Sequence, residues 1–264
     1  MEDNRRQQLA VQAAPVTLKE VKDPGDPDIL RFRELMVGAF ADPNMIADPD
    51  QLTAWVRDRD GGGRRFHLLV VRVGGQVAGG TLFSYVPETN VGFSEYIIVA
   101  PAYRGHGLAR LLFQRRLTIL EWDARLKGKP PIRGIFIEVA HPMRLPPELY
   151  EADRRMAVDP VERRRIMHHF GFRQLDLEYN QPPLTQDREP VSYLDLLFLP
   201  LDPDLKAAGA LPAEMILRSL RPIWRAWAVP SWEEYLRRMR RALDGKPVAM
   251  LPCWTPEMER VAGA

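Results

Sequence analysis

The stretch Tyr96-Ile-Ile-Val-Ala-Pro-Ala-Tyr-Arg-Gly-His-Gly-Leu-Ala109 holds the residues with the clearest chemical meaning. A β-branched strand breaks at Pro101, turns through Gly105 and Gly107, and leads into an amphipathic helix. The free N–H groups of that helix's first turn, with the positive end of its dipole, make an anion site. Close approach needs residues without bulk, which Gly105, Gly107 and Ala109 supply, and Arg104 adds a cation at the rim. The pattern suits a pyrophosphate. It is not the dinucleotide fingerprint Gly-x-Gly-x-x-Gly, because Gly105-His-Gly-Leu-Ala-Arg110 ends in arginine, and the loop Gly-x-x-x-x-Gly-Lys-Ser/Thr is absent. Two carboxylates, Glu95 and Glu138, each sit in an otherwise apolar strand. Burial raises a carboxyl pKa and makes it a proton acceptor near neutrality; the competing reading for each is a structural pair with an arginine.

The elements that must position these groups follow from periodicity. An alternating strand is expected over 16–21, then a helix capped by Asp28 with Ile29, Phe32, Leu35 and Met36 at helical spacing, then a short helix over 51–57. Strand-like runs over 66–73 and 76–86 flank Gly74-Gly75, a hairpin signal, and another strand spans 91–99. From 107 to 127 the pattern is helical, with Leu108, Leu111, Leu112, Ile119, Trp122 and Leu126 on one broad face. A strand over 132–139 comes next, then a helix with Asp159 as N-cap, Pro160 in its first turn and Gly171 closing it, then strands over 172–177 and 192–199. Beyond Leu201 the chain reads as helix: 212–227 with Pro222 kinking or splitting it, and a stripe of Trp232, Tyr235, Leu236, Met239 and Leu243 behind a Ser231/Glu234 capping box.

Composition bounds the function. At 264 residues and 45% hydrophobic content the chain is long enough for a sizeable core. With 37 basic and 35 acidic residues the formal charge is +2, which gives no case for nucleic acid or membrane as partner; Arg237, Arg238, Arg240 and Arg241 read as a solvated helix face. Residues 1–15 are charged and lack the apolar core of a secretory signal, and no apolar run reaches the roughly 18 residues of a membrane helix, so a cytoplasmic location is expected. Cys253 is the only cysteine, excluding an intramolecular disulfide and a cysteine metal cluster. Adjacent His168 and His169 diverge by about 100° on a helix, so no metal is expected.

Arg104-Gly-His-Gly107-Leu-Ala109, after a strand ending at Val99, resembles the Arg/Gln-x-x-Gly-x-Gly/Ala signature of the GNAT acyltransferase superfamily. Ile166-Met-His-His-Phe-Gly171-Phe172 resembles that family's helix ending in an aromatic or leucine before Gly-Phe. The order of elements over 16–201 is similar throughout. The resemblance implies an α/β fold with a mixed, mostly antiparallel central sheet flanked by helices. It divides the chain into a flexible amino terminus at 1–15, an acyltransferase domain at 16–201 and a helical extension at 202–264, packed on the core or on a second subunit of a homodimer.

The resemblance also implies acetyl-CoA, or another acyl-CoA, as cosubstrate, and N-acetyl transfer by direct attack of a primary amine borne by a small molecule or peptide. Arg104, Gly105, His106, Gly107, Leu108 and Ala109 would hold the pyrophosphate, His106 through its main-chain N–H. Ile97, Ile98 and Val99 would pair with the pantetheine arm. Glu95 and Glu138 are the candidate bases, Glu95 the favoured one because it precedes the pantetheine-pairing segment on the same strand. The family's thiolate-protonating tyrosine falls at Met167 here, and Tyr150 and Tyr179 are its candidate substitutes. That departure supports a second reading, a noncatalytic acyl-CoA sensor or interaction module. The insertion at 140–158 and the loop at 179–184, with the Gln181 amide, would border the acceptor.

Overall fold

The computed structural model describes residues 14–156, 158–227, 229 and 231–262, so most of the stretch read as a flexible amino terminus lies outside the described residues. In chain order the strands are β1 (Val16–Val21), β2 (Arg65–Val73), β3 (Gln76–Val86), β4 (Val91–Val99), β5 (Gly134–Ala140), β6 (Arg173–Leu175), β7 (Leu194–Pro200), β8 (Ala210–Leu211) and β9 (Val248–Pro252). The helices are α1 (Asp28–Val37), α2 (Pro49–Arg57), α3 (Leu108–Leu126), α4 (Pro147–Met156), α5 (Pro160–His169), α6 (Pro203–Ala208), α7 (Ala213–Ala226), α8 (Trp232–Leu243) and α9 (Pro256–Ala262). The strands form one sheet in the order β1-β2-β3-β4-β5-β7-β6-β9-β8.

Neighbouring strands are antiparallel except β4 and β5, which run parallel for three residue pairs only: Gly92 with Ile135, Phe93 with Phe136, and Ser94 with Ile137. Past Ser94 and Ile137 the two strands part. Glu95 and Glu138 are the next residues on each, so both carboxylates stand at the fork. On its other side β4 stays paired to β3, but Leu82 faces Tyr96 while Phe83 faces Ser94, which leaves Glu95 as the extra residue of a bulge. One face of the sheet is covered by α1, α2, α7 and α8 through a cluster that includes Phe32, Trp55, Ile216 and Leu236. The other is covered by α3 and α5 through Leu112, Leu120 and Phe172 with Phe170 packed against them.

Several local expectations are corrected. Asp28 does not cap α1 from outside; it is the helix's first residue, fully buried, and pairs with Lys19 at 3.0 Å and Arg72 at 2.5 Å. The buried stripe of α3 is Leu108, Leu112, Arg116, Leu120 and Ala124, while Trp122 and Leu126 are exposed. Pro222 does not split α7. An interior proline, through a lost bond and a ring clash, costs about 3 kcal/mol, and burial of Ile216, Leu220, Ile223 and Trp224 outweighs that at about 1.5–3 kcal/mol per side chain. The Ser231 side chain makes no cap bond, because Ser231 is itself helical and Glu234 turns instead to Arg237 and Arg238 at 2.8 and 2.9 Å. The region beyond Leu201 is helical in the main but also supplies β8 and β9 to the sheet edge, short strands with too few alternating residues to register as such. Asp159 does cap α5, accepting from the N–H groups of Val161 and Glu162 at 2.9 and 3.3 Å.

Candidate active site

The fork between β4 and β5 opens into a cavity of about 370 Å³. Its walls come from the glycine loop, α5, the insertion at 140–158, the loop at 179–184 and the end of α7. Ile97, Ile98 and Val99 line it along an edge of β4 that no strand covers past Ser94. An uncovered edge leaves half of the main-chain N–H and C=O groups available to a ligand.

At one end lies the loop before α3. Gly105 and Gly107 have φ of +80° and +75°, conformations that cost a residue with a Cβ about 1–2 kcal/mol, and nothing lies within 4 Å of where either Cβ would be. The glycines are therefore needed for backbone shape and for access from outside. No side chain caps the first turn of α3, so its N–H groups remain open to an anion. Arg104, Gly105, Gly107, Leu108 and Ala109 line the cavity; the half-buried His106 does not. The Arg104 Nε donates to the Val99 carbonyl at 3.1 Å and so ties the loop to the end of β4. An open strand edge leading to an uncapped helix start fits an extended amide-bearing arm joined to a diphosphate.

The two glutamates line the same cavity in different surroundings. Glu95 Oε1 accepts from Arg64 Nη1 at 3.1 Å and from the Ser84 hydroxyl at 2.8 Å, and both charged side chains of that pair are almost fully buried. The Arg64 guanidinium is sandwiched against Trp55 and Phe66, 5.3 and 5.0 Å from their ring centres. Burial pushes the Glu95 carboxyl upward, while Arg64, Ser84 and the more distant Arg116 pull it back toward the charged form. Among the described residues no cation pairs with Glu138. Its pKa is raised to about 8, chiefly by burial; the hydroxyl of Tyr179, which donates to Oε1, opposes the rise, and the negative charge of Glu95 adds to it.

Neither Tyr150 nor Tyr179 is among the lining residues, but Tyr179 is tied to a lining carboxylate through its bond to Glu138. Met167 does line the cavity, so a thioether faces the space where the sequence resemblance places a tyrosine. The opposite end is walled by Phe40, Trp55, Tyr96, Gln181, Leu184 and Trp227. Trp227 belongs to the carboxyl-terminal region, and its carbonyl and that of Ala226 accept from Gln51 and from the Trp55 indole at 3.4 and 2.9 Å. The addition beyond 201 therefore builds part of the cavity wall.

Arg64 and Arg116 escape a reading by motif. Arg116 is 1% exposed, donates to the Ser94 hydroxyl and packs 4.9 Å from the Phe113 ring centre. Burial draws its pKa down to about 10. A signal was available: in Leu108, Leu112, Arg116, Leu120 an arginine interrupts an otherwise apolar row at four-residue spacing. Arg64 precedes its strand, and nothing in its neighbours marks it.

Residues 29–122 match the family model of GNAT acetyltransferases. No curated protein matches the chain. Among solved structures, a protein from Bacteroides thetaiotaomicron assigned to the GNAT acetyltransferases superposes with a TM-score of 0.51 at 16% identity, over 87% of this chain and 98% of its own. The ribosomal-protein-S18-alanine N-acetyltransferase of Escherichia coli gives 0.46 at 15% identity over 71% and 95% of the two chains. The first of these, at 16% identity, shows a likeness of fold.

Proposed function

We propose that the chain, whose residues 29–122 match the family model of GNAT acetyltransferases, transfers an acyl group, acetyl in the first instance, from acyl-CoA to a primary amine by direct attack. The observation that carries the reading is the fork at Ser94 and Ile137, which sets two carboxylates in one cavity with a glycine-built anion cradle.

Bound there, acyl-CoA supplies an activated thioester. Gly105, Gly107, Leu108 and Ala109 offer main-chain N–H groups to its diphosphate, Arg104 steadies the loop, and Ile97 to Val99 offer a strand edge to its amide-bearing arm. An amine arrives largely as ammonium and must lose a proton before it can attack. Glu138 is the group suited to take it, because its pKa of about 8 places the proton exchange near neutrality. Tyr179 positions it, steadying the ionised form through one hydrogen bond. Glu95, in a buried pair with Arg64, is itself raised by burial, and its negative charge when ionised raises the Glu138 pKa. The roles of the two glutamates are therefore unequal, and the order of preference expected from the strand they occupy is reversed. Met167 offers no proton, so departure of sulfur relies on the stability of a thiolate, whose conjugate acid ionises at about 8.5.

The thioether at Met167 is also what favours the second reading, binding without turnover. Titration calorimetry with coenzyme A and thiol release from acetyl-CoA over a panel of amines separate the two. Transfer requires both heat and thiol release; heat alone establishes the sensor, and neither removes the proposal.

A further inference from the structure

Away from the cavity, one buried titratable side chain stands between two carboxylates. His67, on β2, is 3% exposed, and its ring stacks on Phe83 of β3 with centroids 4.9 Å apart. Its Nδ1 lies 2.7 Å from Oε1 of Glu20 on β1, and its Nε2 lies 2.8 Å from Oδ2 of Asp123 on α3. A neutral imidazole has one N–H and one lone pair, whereas an ionised carboxylate only accepts. Both contacts are hydrogen bonds at once only when the ring carries both protons.

Each acid also has a cation on its far side. Arg59, just beyond α2, pairs with the same Glu20 oxygen at 2.9 Å, and Lys22 reaches the other oxygen at 3.1 Å. Arg65 lies 3.4 Å from the second oxygen of Asp123 and 3.3 Å from Asp60, which is also 4.0 Å from Arg59. On β3, Tyr85 is pushed up to about 12, by burial first and then by the negative charges of Asp123 and Glu121. Burial raises the Glu20 carboxyl, but the bond and charge of His67, with Lys22 and Arg59, outweigh it and bring the pKa down to about 2. Burial likewise opposes a charged imidazole, and the bonds and charges of Asp123 and Glu20 override it, so the His67 pKa stands above the ordinary 6.5.

We infer that His67 is a protonated clasp, an imidazolium that fastens the edge strand β1 and the last turns of α3 to β2 and releases one of them when it loses its proton. β1 pairs with β2 alone, and all of its residues but Val21 are at least partly exposed, so little else holds it. The glycine-loop cradle stands at the opposite end of α3, on the helix that the clasp secures. Deprotonation sets a ring lone pair against a buried carboxylate, and that contact opens. Because the folded-state pKa is the higher one, the stabilisation is complete below pH 6.5 and fades as the pH rises through the folded value. The clasp stands or falls independently of acyl transfer.

Nitrogen NMR of the imidazole rings, on the full chain across a pH titration, reads the proton directly, with the His67 signals identified by their loss in His67→Gln. Both His67 nitrogens are expected to stay protonated beyond pH 6.5, and Glu20→Gln is expected to lower the midpoint. A midpoint at or below 6.5, or one that Glu20→Gln leaves unmoved, overturns the inference even if His67→Gln fails to fold. In heat unfolding, His67→Gln is expected to lose roughly 3–10 °C of Tm on the acid side of the parent's midpoint and progressively less above it. A deficit equal at every pH overturns the switch. In the parent, amide exchange over 16–21 or 120–126 is expected to quicken above the midpoint relative to 134–140, and exchange in both segments that keeps step with 134–140 overturns it as well.

Discussion

The two ends of the cavity offer different means of recognition. At the glycine loop the contacts on offer are main-chain N–H groups and a strand edge, whereas at the far end they are side chains drawn from the β4–β5 fork, the 179–184 loop and α7. Main-chain recognition depends on backbone shape, and backbone shape depends on local residues, here two glycines at positive φ. Side-chain recognition depends on which distant segments the fold brings together. The same contrast recurs between the carboxylates: Glu95 is locked into a pair with a residue 31 positions away, and Glu138 is tuned by a tyrosine 41 positions away.

The contrast between the glutamates yields the largest expected effects. Glu138→Gln removes the proposed proton acceptor and should lower kcat by about 10²–10⁴ while coenzyme A affinity holds, as read by thiol release and calorimetry. Glu95→Gln should act first on stability. It leaves the Arg64 guanidinium buried without its counter-ion, a loss of about 3–5 kcal/mol visible in denaturant unfolding, although Ser84 still offers a partner to the new amide. A Glu95 variant as stable as the parent would show that the pair contributes little and that the two carboxylates are more alike than drawn here.

At the other end, Gly107→Val puts a β-branched residue at φ +75° and a side chain where a ligand must approach. Coenzyme A should bind about tenfold or more weakly, with little change in amine binding. Undiminished coenzyme A affinity would break the division of the cavity into a main-chain end and a side-chain end. The smallest effect sharpens the account of Glu138. Tyr179 donates to Oε1 and favours the ionised form, so Tyr179→Phe should raise the Glu138 pKa and move the pH–rate profile upward, by up to about one unit, with activity at high pH retained. A merely structural tyrosine would lower activity at every pH without moving the profile.

What was legible in the sequence follows the same division. The cradle, the strand that feeds it and the helix it launches could be read from 14 consecutive residues, because each is set by local φ, ψ and periodicity. Glu95 and Glu138 could be singled out because a carboxylate in an apolar strand is conspicuous, but the preference for Glu95 rested on its strand alone, whereas the proposed ranking depends on Arg64 beside one and Tyr179 beside the other. Trp227 lining the cavity could not be read from a helix that appeared to be an appendage, and strands as short as Ala210–Leu211 have too little alternation to be seen. Pro222 misled in the opposite sense, because local propensity argued for a break that burial of α7 overrides.

The pH dependence of thiol release from acetyl-CoA with a saturating amine, measured for the unaltered protein and for Glu138→Gln, tests the central claim most directly. A rate that rises through about pH 8 and is lost in Glu138→Gln, while the variant still binds coenzyme A, is the predicted result. A Glu138→Gln protein that keeps the parent's rate and profile would contradict it.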